Sequence, residues 1–129
     1  MKKTKKGKLI LNGVVLEKHE MKTVAFFTSS GFDIELIPPS NNQKTASADF
    51  LMNGTIWEMK SLQGNSRHTL ERRFNKAKHQ SQNIVIDIRY NKMDEEKAIR
   101  LLEKCFIQSR TCRKMIVLTK SRKRLDYSK

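Results

Sequence analysis

The sequence lacks the features that mark membrane proteins, secreted proteins and cysteine-based metal sites. Its uninterrupted apolar runs are only a few residues long, so no transmembrane helix is predicted. The lysine-rich N-terminus lacks an apolar segment and a small-residue cleavage site, so no secretory signal is predicted. The two cysteines, Cys105 and Cys112, fit neither a zinc site nor a disulfide framework. We therefore expect reduced cysteines in a cytoplasmic protein that does not associate with membranes.

Acidic residues are also scarce. The chain has 27 lysines and arginines against 13 aspartates and glutamates, which gives a net charge of +14. An excess of this size favours a polyanionic partner, most often nucleic acid. Four of the acids lie between Phe32 and Glu58, together with one lysine. An acidic segment within a basic protein predicts that these acids hold a divalent metal ion.

The length of 129 residues suits one domain with a modest core. We predict a basic flexible tail over residues 1–8 and a single domain over residues 9–129. Periodicity and turn residues predict, in order, a hairpin over 9–16, a helix over 17–31 with Gly31 at its end, strands over 32–38, 49–52 and 55–62, a helix over 67–82, a strand over 83–90, a helix over 94–110 capped by Asp94, a strand over 114–120, and a frayed end over 124–129.

This order of elements predicts an α/β fold with one mixed sheet. The three strands after the first helix are expected to form an antiparallel meander, with a tight Asn53-Gly54 turn between the second and the third. The later strands are joined through helices, so they are expected to be parallel and connected by right-handed crossovers. The result is an α-β-β-β-α-β core with an added α-β unit.

The segment "ADFLMNGTIWEMK" carries the candidate chemistry. A turn at Asn53-Gly54 places Asp49 opposite Glu58 on paired strands, while Lys60 shares a face with Glu58. Two carboxylates, with the backbone carbonyl of Met59, would suit Mg²⁺. Lys60 beside the ion would stabilise negative charge on an attacking water or on a phosphate.

An ordinary explanation competes with this one. Glu58 and Lys60 would then form an exposed ion pair of little energetic value, and Asp49 would only cap the preceding loop. The metal site is favoured because four features coincide: the upstream aspartate, the hairpin, the basic helix that follows, and the order of the elements.

The pattern D-(x)8-E-M-K after a helix and a strand resembles the PD-(D/E)XK restriction-endonuclease-like superfamily. With "GNSRHTL" and "QSQNIVID", the chain is similar over about residues 14–120 to the C-terminal nuclease domains of contact-dependent growth inhibition CdiA toxins, and to domains that end some phage head-morphogenesis proteins. Ala48 stands in place of the proline of the nominal motif, a position that carries no chemistry.

The resemblance implies a restriction-endonuclease-like nuclease domain that acts on tRNA. It implies that Asp49 and Glu58 bind Mg²⁺ or Mn²⁺ and that Lys60 is catalytic. A further catalytic carboxylate on the first helix would be Glu20, or else Glu17. A polar catalytic residue on the second helix would be Gln80.

The second predicted helix is basic and is expected to hold the nucleic-acid backbone. The residues predicted to do so are Arg67, Arg72, Arg73 and Lys76. Arg73, Lys76 and Gln80 are spaced i, i+3 and i+7, which places them on one face of the helix. A solvated face with no binding role explains the same spacing.

The predicted function is therefore that of a metal-dependent nuclease, with RNA favoured over DNA. Three alternatives stay open: a DNA endonuclease of a phage or mobile element, a metal-independent ribonuclease that uses His68 or His79 as a general base, and a non-catalytic nucleic-acid-binding module. A toxin would act in the cytoplasm after delivery from another cell, and an acidic immunity protein would cover its basic cleft.

Overall fold

The structure is a computed structural model that describes residues 6–38, 48–61, 67–121 and 123–129. Of Ala48, Asp49, Arg67 and Gln80 it describes the backbone alone. In the described part of the chain, three helices and seven strands form a mixed α/β fold, and the strands follow one another across the sheet in chain order. The elements are β1 (Leu9–Ile10), α1 (Lys18–Ser29), β2 (Ile34–Leu36), β3 (Ala48–Met52), β4 (Thr55–Ser61), α2 (Arg67–Gln80), β5 (Asn83–Asp87), α3 (Glu95–Gln108), β6 (Lys114–Leu118) and β7 (Arg124–Ser128).

The predicted mixed α/β fold and its order of helices and strands are confirmed. The chain divides into two compact units, residues 1–57 and residues 58–129, and the boundary falls inside β4. None of the helices in the described segments is long and apolar enough to cross a membrane.

The first unit is built around the apolar face of α1. Val24 and Phe27 of this helix are fully buried. The centroid of the Phe27 ring lies 5.7 Å from that of Phe32 and 6.4 Å from that of Phe50 in β3. Strands β2 and β3 pair antiparallel, as predicted, with Leu36 opposite Phe50. Aromatic packing therefore holds the helix to this pair of strands.

Helix α1 ends as Gly31 predicts. Gly31 has a φ of 96°, its N–H donates to the Thr28 carbonyl, and the N–H of Phe32 donates to the Phe27 carbonyl. These two bonds, with the Phe27–Phe32 ring contact, form a Schellman motif. The motif directs the chain straight into β2.

The predicted hairpin over residues 9–16 is wrong. Asn12 and Gly13 do form a turn, with φ values of 49° and 76°, but β1 is only two residues long and pairs parallel with β2. The reason is the Asn12 side chain, whose Nδ2 donates to the Leu36 carbonyl at 2.9 Å and to the Glu35 carboxylate at 3.2 Å. The turn is thereby fastened to β2, and the chain continues to α1 without forming a second strand.

The second unit contains the parallel part of the sheet. Strands β4 and β5 are parallel, as are β5 and β6, which confirms the two predicted crossovers. Asp94 caps α3, as predicted, by accepting a hydrogen bond from the N–H of Lys97. Apolar side chains of α2, α3 and the strands form one core: Leu70, Phe74, Ala77, Ile84, Ile86, Ile88, Ala98, Leu101, Leu102, Phe106, Met115 and Val117.

The predicted frayed end over residues 124–129 is also wrong. Residues 124–128 form β7, which pairs antiparallel with β6. Leu125 and Tyr127 alternate with more exposed neighbours and pack against the core of the second unit. The strand forms because these two side chains have an apolar surface to cover.

Residues at the start of the predicted tail lie outside the described segments, but Gly7 and Lys8 are held by the first unit. The N–H of Gly7 donates to the Thr28 carbonyl at 2.7 Å, and the N–H of Lys8 donates to the Asp33 carboxylate at 2.8 Å. A Cβ on Gly7 would lie 1.8 Å from the backbone oxygen of Phe32.

We therefore expect Gly7→Ala to lower the free energy of unfolding by about 2–3 kcal/mol, because a backbone atom cannot move away cheaply. The matched control is Gly13→Asn, since the Cβ position of Gly13 has nothing within 4 Å and asparagine tolerates a positive φ. This control should cost less than about 1 kcal/mol. Urea unfolding measures both, and equal effects would contradict the close approach at Gly7.

Candidate active site

Strand β4 carries two charged side chains into the interior of the second unit. Glu58 is 0% exposed and Lys60 is 7% exposed. In the parallel register, Glu58 pairs with Ile84 and Lys60 with Ile86. Because paired residues share a face, both charges lie on the side of the sheet that α2 and α3 cover.

The charges of Glu58 and Lys60 are only partly compensated. The Lys60 Nζ lies 3.4 Å from the Glu58 Oε1, which is an ion pair but does not meet hydrogen-bond geometry. Neither carboxylate oxygen of Glu58 accepts a hydrogen bond from the described residues. Burying an ionised carboxylate without hydrogen bonds is unfavourable, so this oxygen pair is suited to a cation.

The exposed-pair explanation of Glu58 and Lys60 is therefore wrong, because both side chains are buried. Trp57, which alternates with Glu58, is 7% exposed and lies in the core as predicted. The buried side chain of Met59 likewise alternates with both charges, so the predicted contribution of Met59 to a metal site is restricted to its carbonyl.

The fit of a metal ion rests on Glu58 among the described side chains. Its buried carboxylate oxygens have the hard-donor chemistry that Mg²⁺ and Mn²⁺ prefer. Within the described segments, no three histidine, cysteine, aspartate or glutamate side chains form a cluster that could hold a metal. The predicted second carboxylate, Asp49, lies in β3, and its side chain is outside the described residues.

Helix α2 presents different residues on its two flanks. Glu71, Asn75 and Lys78 line a cavity shared with α3, so this flank faces α3. Arg73 and Lys76 lie on the opposite flank, beyond the buried row of Leu70, Phe74 and Ala77. Since α2 connects β4 to β5 and α3 connects β5 to β6, the opposite flank is turned toward β4.

The predicted backbone-holding residues thus differ in their placement. Half-buried Arg73 and exposed Lys76 share the flank nearest β4, which carries Glu58 and Lys60. Arg72 is exposed on the outer side of the helix, where His68 and His79 are also exposed. The side chains of Arg67 and Gln80, at the two ends of α2, lie outside the described residues.

On helix α1, Glu20 has a structural partner. Its Oε1 accepts a hydrogen bond from the N–H of Glu17 at 2.9 Å, which caps the first turn of the helix. The Glu17 carboxylate itself lies 3.4 Å from the Nε2 of His19. Capping explains Glu20 without a catalytic role, and the predicted role stays a prediction.

A second buried carboxylate in the unit was not identified from the sequence. Asp87, at the end of β5, is 0% exposed. It accepts three side-chain hydrogen bonds from Arg89, at 2.8, 3.0 and 3.2 Å, and one from the backbone N–H of Arg89. This side-chain bond raises the pKa of the Arg89 guanidinium. Asp87 is therefore a satisfied structural group, and the signal for it was an apolar strand that ends in Asp-x-Arg.

The two cysteines are free thiols. Cys105 is half-buried and Cys112 is fully buried. Burial raises the pKa of the Cys112 thiol to about 11, although the Lys129 charge, a hydrogen bond with the Lys114 backbone and the Lys78 charge oppose this. Cys112 is thus protonated at neutral pH and unsuited to nucleophilic chemistry.

Comparisons with known proteins match both the sequence and the fold. Residues 45–124 match the family described as the contact-dependent growth inhibition CdiA C-terminal domain. The fold is similar to a chain of a CdiA-CT/CdiI toxin and immunity complex from Burkholderia pseudomallei, with a TM-score of 0.67 and 14% identity over 95% of this chain and 100% of that one. No curated protein matches the sequence.

Removal of Lys60 tests the buried pair. We expect Lys60→Met to lower the free energy of unfolding by about 3–5 kcal/mol in EDTA, because it leaves the Glu58 carboxylate buried without a counter-charge. The double variant Glu58→Met, Lys60→Met should be about as stable as the wild type, since no charge is then buried. Urea unfolding of the four proteins gives the coupling free energy between the two sites.

The matched control is Arg124→Met, which breaks the exposed pair of Arg124 and Asp126 at 3.3 Å. It should cost less than about 1 kcal/mol. Simple additivity of the Glu58 and Lys60 effects would show that the two charges are not coupled.

Thiol labelling tests the burial of Cys112. With iodoacetamide at pH 8, we expect the native protein to be alkylated at Cys105 and to react at Cys112 only after unfolding, because Cys112 is protonated and has no access to solvent. Mass spectrometry of Cys105→Ser and Cys112→Ser separates the two thiols. Equal rates at both positions in the native protein would contradict the structure.

Proposed function

Because the chain belongs to the CdiA C-terminal domain family, we propose that it is a metal-dependent toxin nuclease that hydrolyses phosphodiester bonds in RNA. Membership of this family implies a toxic effector of the nuclease type. The single observation that carries the proposal is the fully buried Glu58 carboxylate, which lacks hydrogen bonds and lies 3.4 Å from the Lys60 ammonium. A buried carboxylate beside a lysine is suited to cation-assisted phosphate chemistry, because it offers oxygen ligands to a cation next to a positive charge.

The proposed roles follow from the chemistry of each side chain. Glu58 supplies oxygen ligands on the side of the sheet covered by α2 and α3. A bound Mg²⁺ or Mn²⁺ would supply Lewis-acid activation of water and neutralisation of phosphate charge. Lys60 donates hydrogen bonds to the attacking oxygen or to a phosphate oxygen and stabilises its negative charge. Asp49 is proposed as the second carboxylate on sequence grounds, as the PD-(D/E)XK pattern implies.

The substrate class is supported by charge. Residues 58–129 contain 19 lysines and arginines against eight aspartates and glutamates, so they carry +11 of the net charge. Such a field attracts nucleic acid whether it is RNA or DNA. RNA, and tRNA in particular, is proposed from the resemblance to CdiA toxin domains. Arg73 and Lys76, on the flank of α2 turned toward β4, are proposed to hold the backbone next to the scissile phosphate.

The partner and the site of action are part of the same proposal. The solved structure of similar fold is a toxin in complex with an immunity protein. We propose that an acidic immunity protein neutralises this chain as well, because the basic second unit offers a complementary surface. CdiA toxin domains are delivered between cells, and the proposed site of action is the cytoplasm of the recipient cell.

Cleavage assays with Glu58→Gln and Lys60→Met test the function. Each should lower the cleavage rate of a tRNA substrate by at least about 10²-fold, because each removes a group that stabilises the transition state. EDTA should abolish wild-type cleavage, and Mn²⁺ or Mg²⁺ should restore it. The matched control Arg124→Met changes a charge in the same unit and should cleave at the wild-type rate.

The results also separate the alternatives. Cleavage of plasmid DNA but not tRNA would identify a DNA endonuclease. Cleavage that resists EDTA and depends on His68 or His79 would identify a metal-independent ribonuclease. Nucleic-acid binding without cleavage, unchanged by Glu58→Gln, would identify a binding module.

A further inference from the structure

One end of the second unit carries several basic residues. Residues 78–83 comprise the last turn of α2, its connection to β5 and the first residue of β5, and residues 109–114 comprise the connection from α3 to β6 and the first residue of β6. Together they contain four lysines and arginines, one histidine and no aspartate or glutamate. The N–H groups of Arg113 and Lys114 both donate to the Gln82 carbonyl, and the N–H of Lys129 donates to the Arg113 carbonyl. These bonds hold the two connections and the last residue together at the amino ends of β5 and β6.

A cavity of about 200 Å³ opens beside these connections, between α2 and α3. Its polar lining includes Asn75, Lys78, Lys104, Gln108, Ser109 and Glu71. Lysine ammonium groups and amide N–H groups are the donors that bind phosphate oxygens. The volume is below the roughly 300–1,000 Å³ of pockets that hold whole drug-sized ligands, so the cavity suits one phosphate group and its ester oxygens.

A third lysine, Lys129, lies next to a residue that lines the cavity. The Lys129 ammonium donates to the Ser109 carbonyl and lies 4.7 Å from the centroid of the Phe106 ring. Lys78 and Lys104 therefore line the cavity, and Lys129 contacts the lining residue Ser109. The acidic residue of the lining is Glu71, which has an interaction of its own.

This end of the unit lies at the same level along β5 as the Glu58 carboxylate of the candidate active site. Glu58 pairs with Ile84, the second residue of β5, so the carboxylate lies level with the amino end of that strand. Helix α2 separates the two places: Arg73 and Lys76 lie on its β4 flank, and Lys78 lies on its α3 flank. An α-helix with its side chains is about 10–12 Å across, a width that a few nucleotides span.

We propose that the amino-end surface, formed by Lys78, Lys104, Arg110, Arg113 and Lys114, is a second phosphate-binding surface that holds the nucleic-acid backbone beyond the scissile bond. The bound nucleic-acid strand crosses the C-terminal part of α2 from the Glu58–Lys60 site to the cavity between α2 and α3. One backbone phosphate occupies that cavity and contacts Lys78 and Lys104. This inference rests on the proposed nuclease function and assigns residues outside the predicted active site to substrate binding.

The test is the salt dependence of RNA binding in a Glu58→Gln background. A labelled single-stranded oligonucleotide is titrated at 50–200 mM KCl, and the slope of log K against log[salt] counts the phosphate contacts. Lys78→Gln with Lys104→Gln should make this negative slope shallower by about 1.4, since each contact to a single strand contributes about 0.7 to its magnitude. Lys92→Gln with Lys123→Gln is the matched control, because both side chains are exposed elsewhere in the same unit. It should leave the slope unchanged.

Folding of each variant is checked by circular dichroism. If replacement of the half-buried Lys78 prevents folding, the single variant Lys104→Gln is used for the test. Its slope should be shallower than that of the parent protein by about 0.7. Equal slopes for the test and control variants would overturn the inference while leaving the proposed function intact. If wild-type protein neither binds nor cleaves RNA or DNA, the proposed function and this inference both fail.

Two further probes identify the source of the phosphate. Inorganic phosphate that binds as tightly as the oligonucleotide, and loses that affinity in the double variant, would overturn the inference in favour of a small-anion site. Polyglutamate binding that weakens in the double variant, while the RNA slope stays unchanged, would overturn it in favour of an acidic protein partner. The expected result is that the double variant loses affinity for the oligonucleotide and not for inorganic phosphate or polyglutamate.

Discussion

The burial of the Glu58 carboxylate is the constraint on which the second unit depends. Strand β4 must keep Glu58 and Lys60 on the side covered by α2 and α3, where the neighbouring side chains of β5 are Ile84 and Ile86. A hydrophobic pair at these two positions would pack without burying a charge. The chain instead keeps a carboxylate whose oxygens accept no hydrogen bond from the described residues. Side chains that make the fold less stable than a hydrophobic alternative would are concentrated at functional sites.

The contrast with Asp87 makes the conflict specific to Glu58. Both carboxylates are fully buried in the same unit, on neighbouring strands. Asp87 receives a two-point hydrogen bond from the guanidinium of Arg89, which is the strong geometry for this pair. Lys60 offers Glu58 a single ammonium that does not meet hydrogen-bond geometry. The fold thus provides hydrogen bonds for the buried carboxylate of Asp87, while the described residues provide none for that of Glu58.

Much of this arrangement could be predicted from the sequence. Alternation along β4 and the helical spacing in α2 and α3 were sufficient to place Glu58 with Lys60 and to predict the parallel crossovers. Strand β7 could not be predicted, because its alternating Leu125 and Tyr127 have meaning only against a core formed by distant residues. The hairpin at Asn12-Gly13 failed because a positive φ fixes a turn but not the hydrogen bond that Asn12 makes to Leu36.

The candidate site shows the same limit. A charged residue in a strand favours solvent on average, so the burial of Glu58 depends on tertiary packing that no local pattern contains. Lys78, Lys104 and Arg113 are far apart in the sequence, and only the crossover topology brings their segments to one end of the unit. Glu20, which the family resemblance implies as a catalytic residue, is explained equally well by the start of a helix, since a glutamate in the first turn caps it.

The pairing of the buried charges has a consequence for the electrostatics of the whole unit. The described charged side chains buried in it, Glu58, Lys60 and Asp87, together with the partly buried Arg89, sum to zero. The interior is therefore electroneutral, and the excess positive charge of residues 58–129 lies on side chains that reach solvent. Mobile ions screen exposed charges far more than buried pairs. Ionic strength thus acts mainly on the exposed positive charges of the second unit and leaves the attraction between the buried charges largely unaffected.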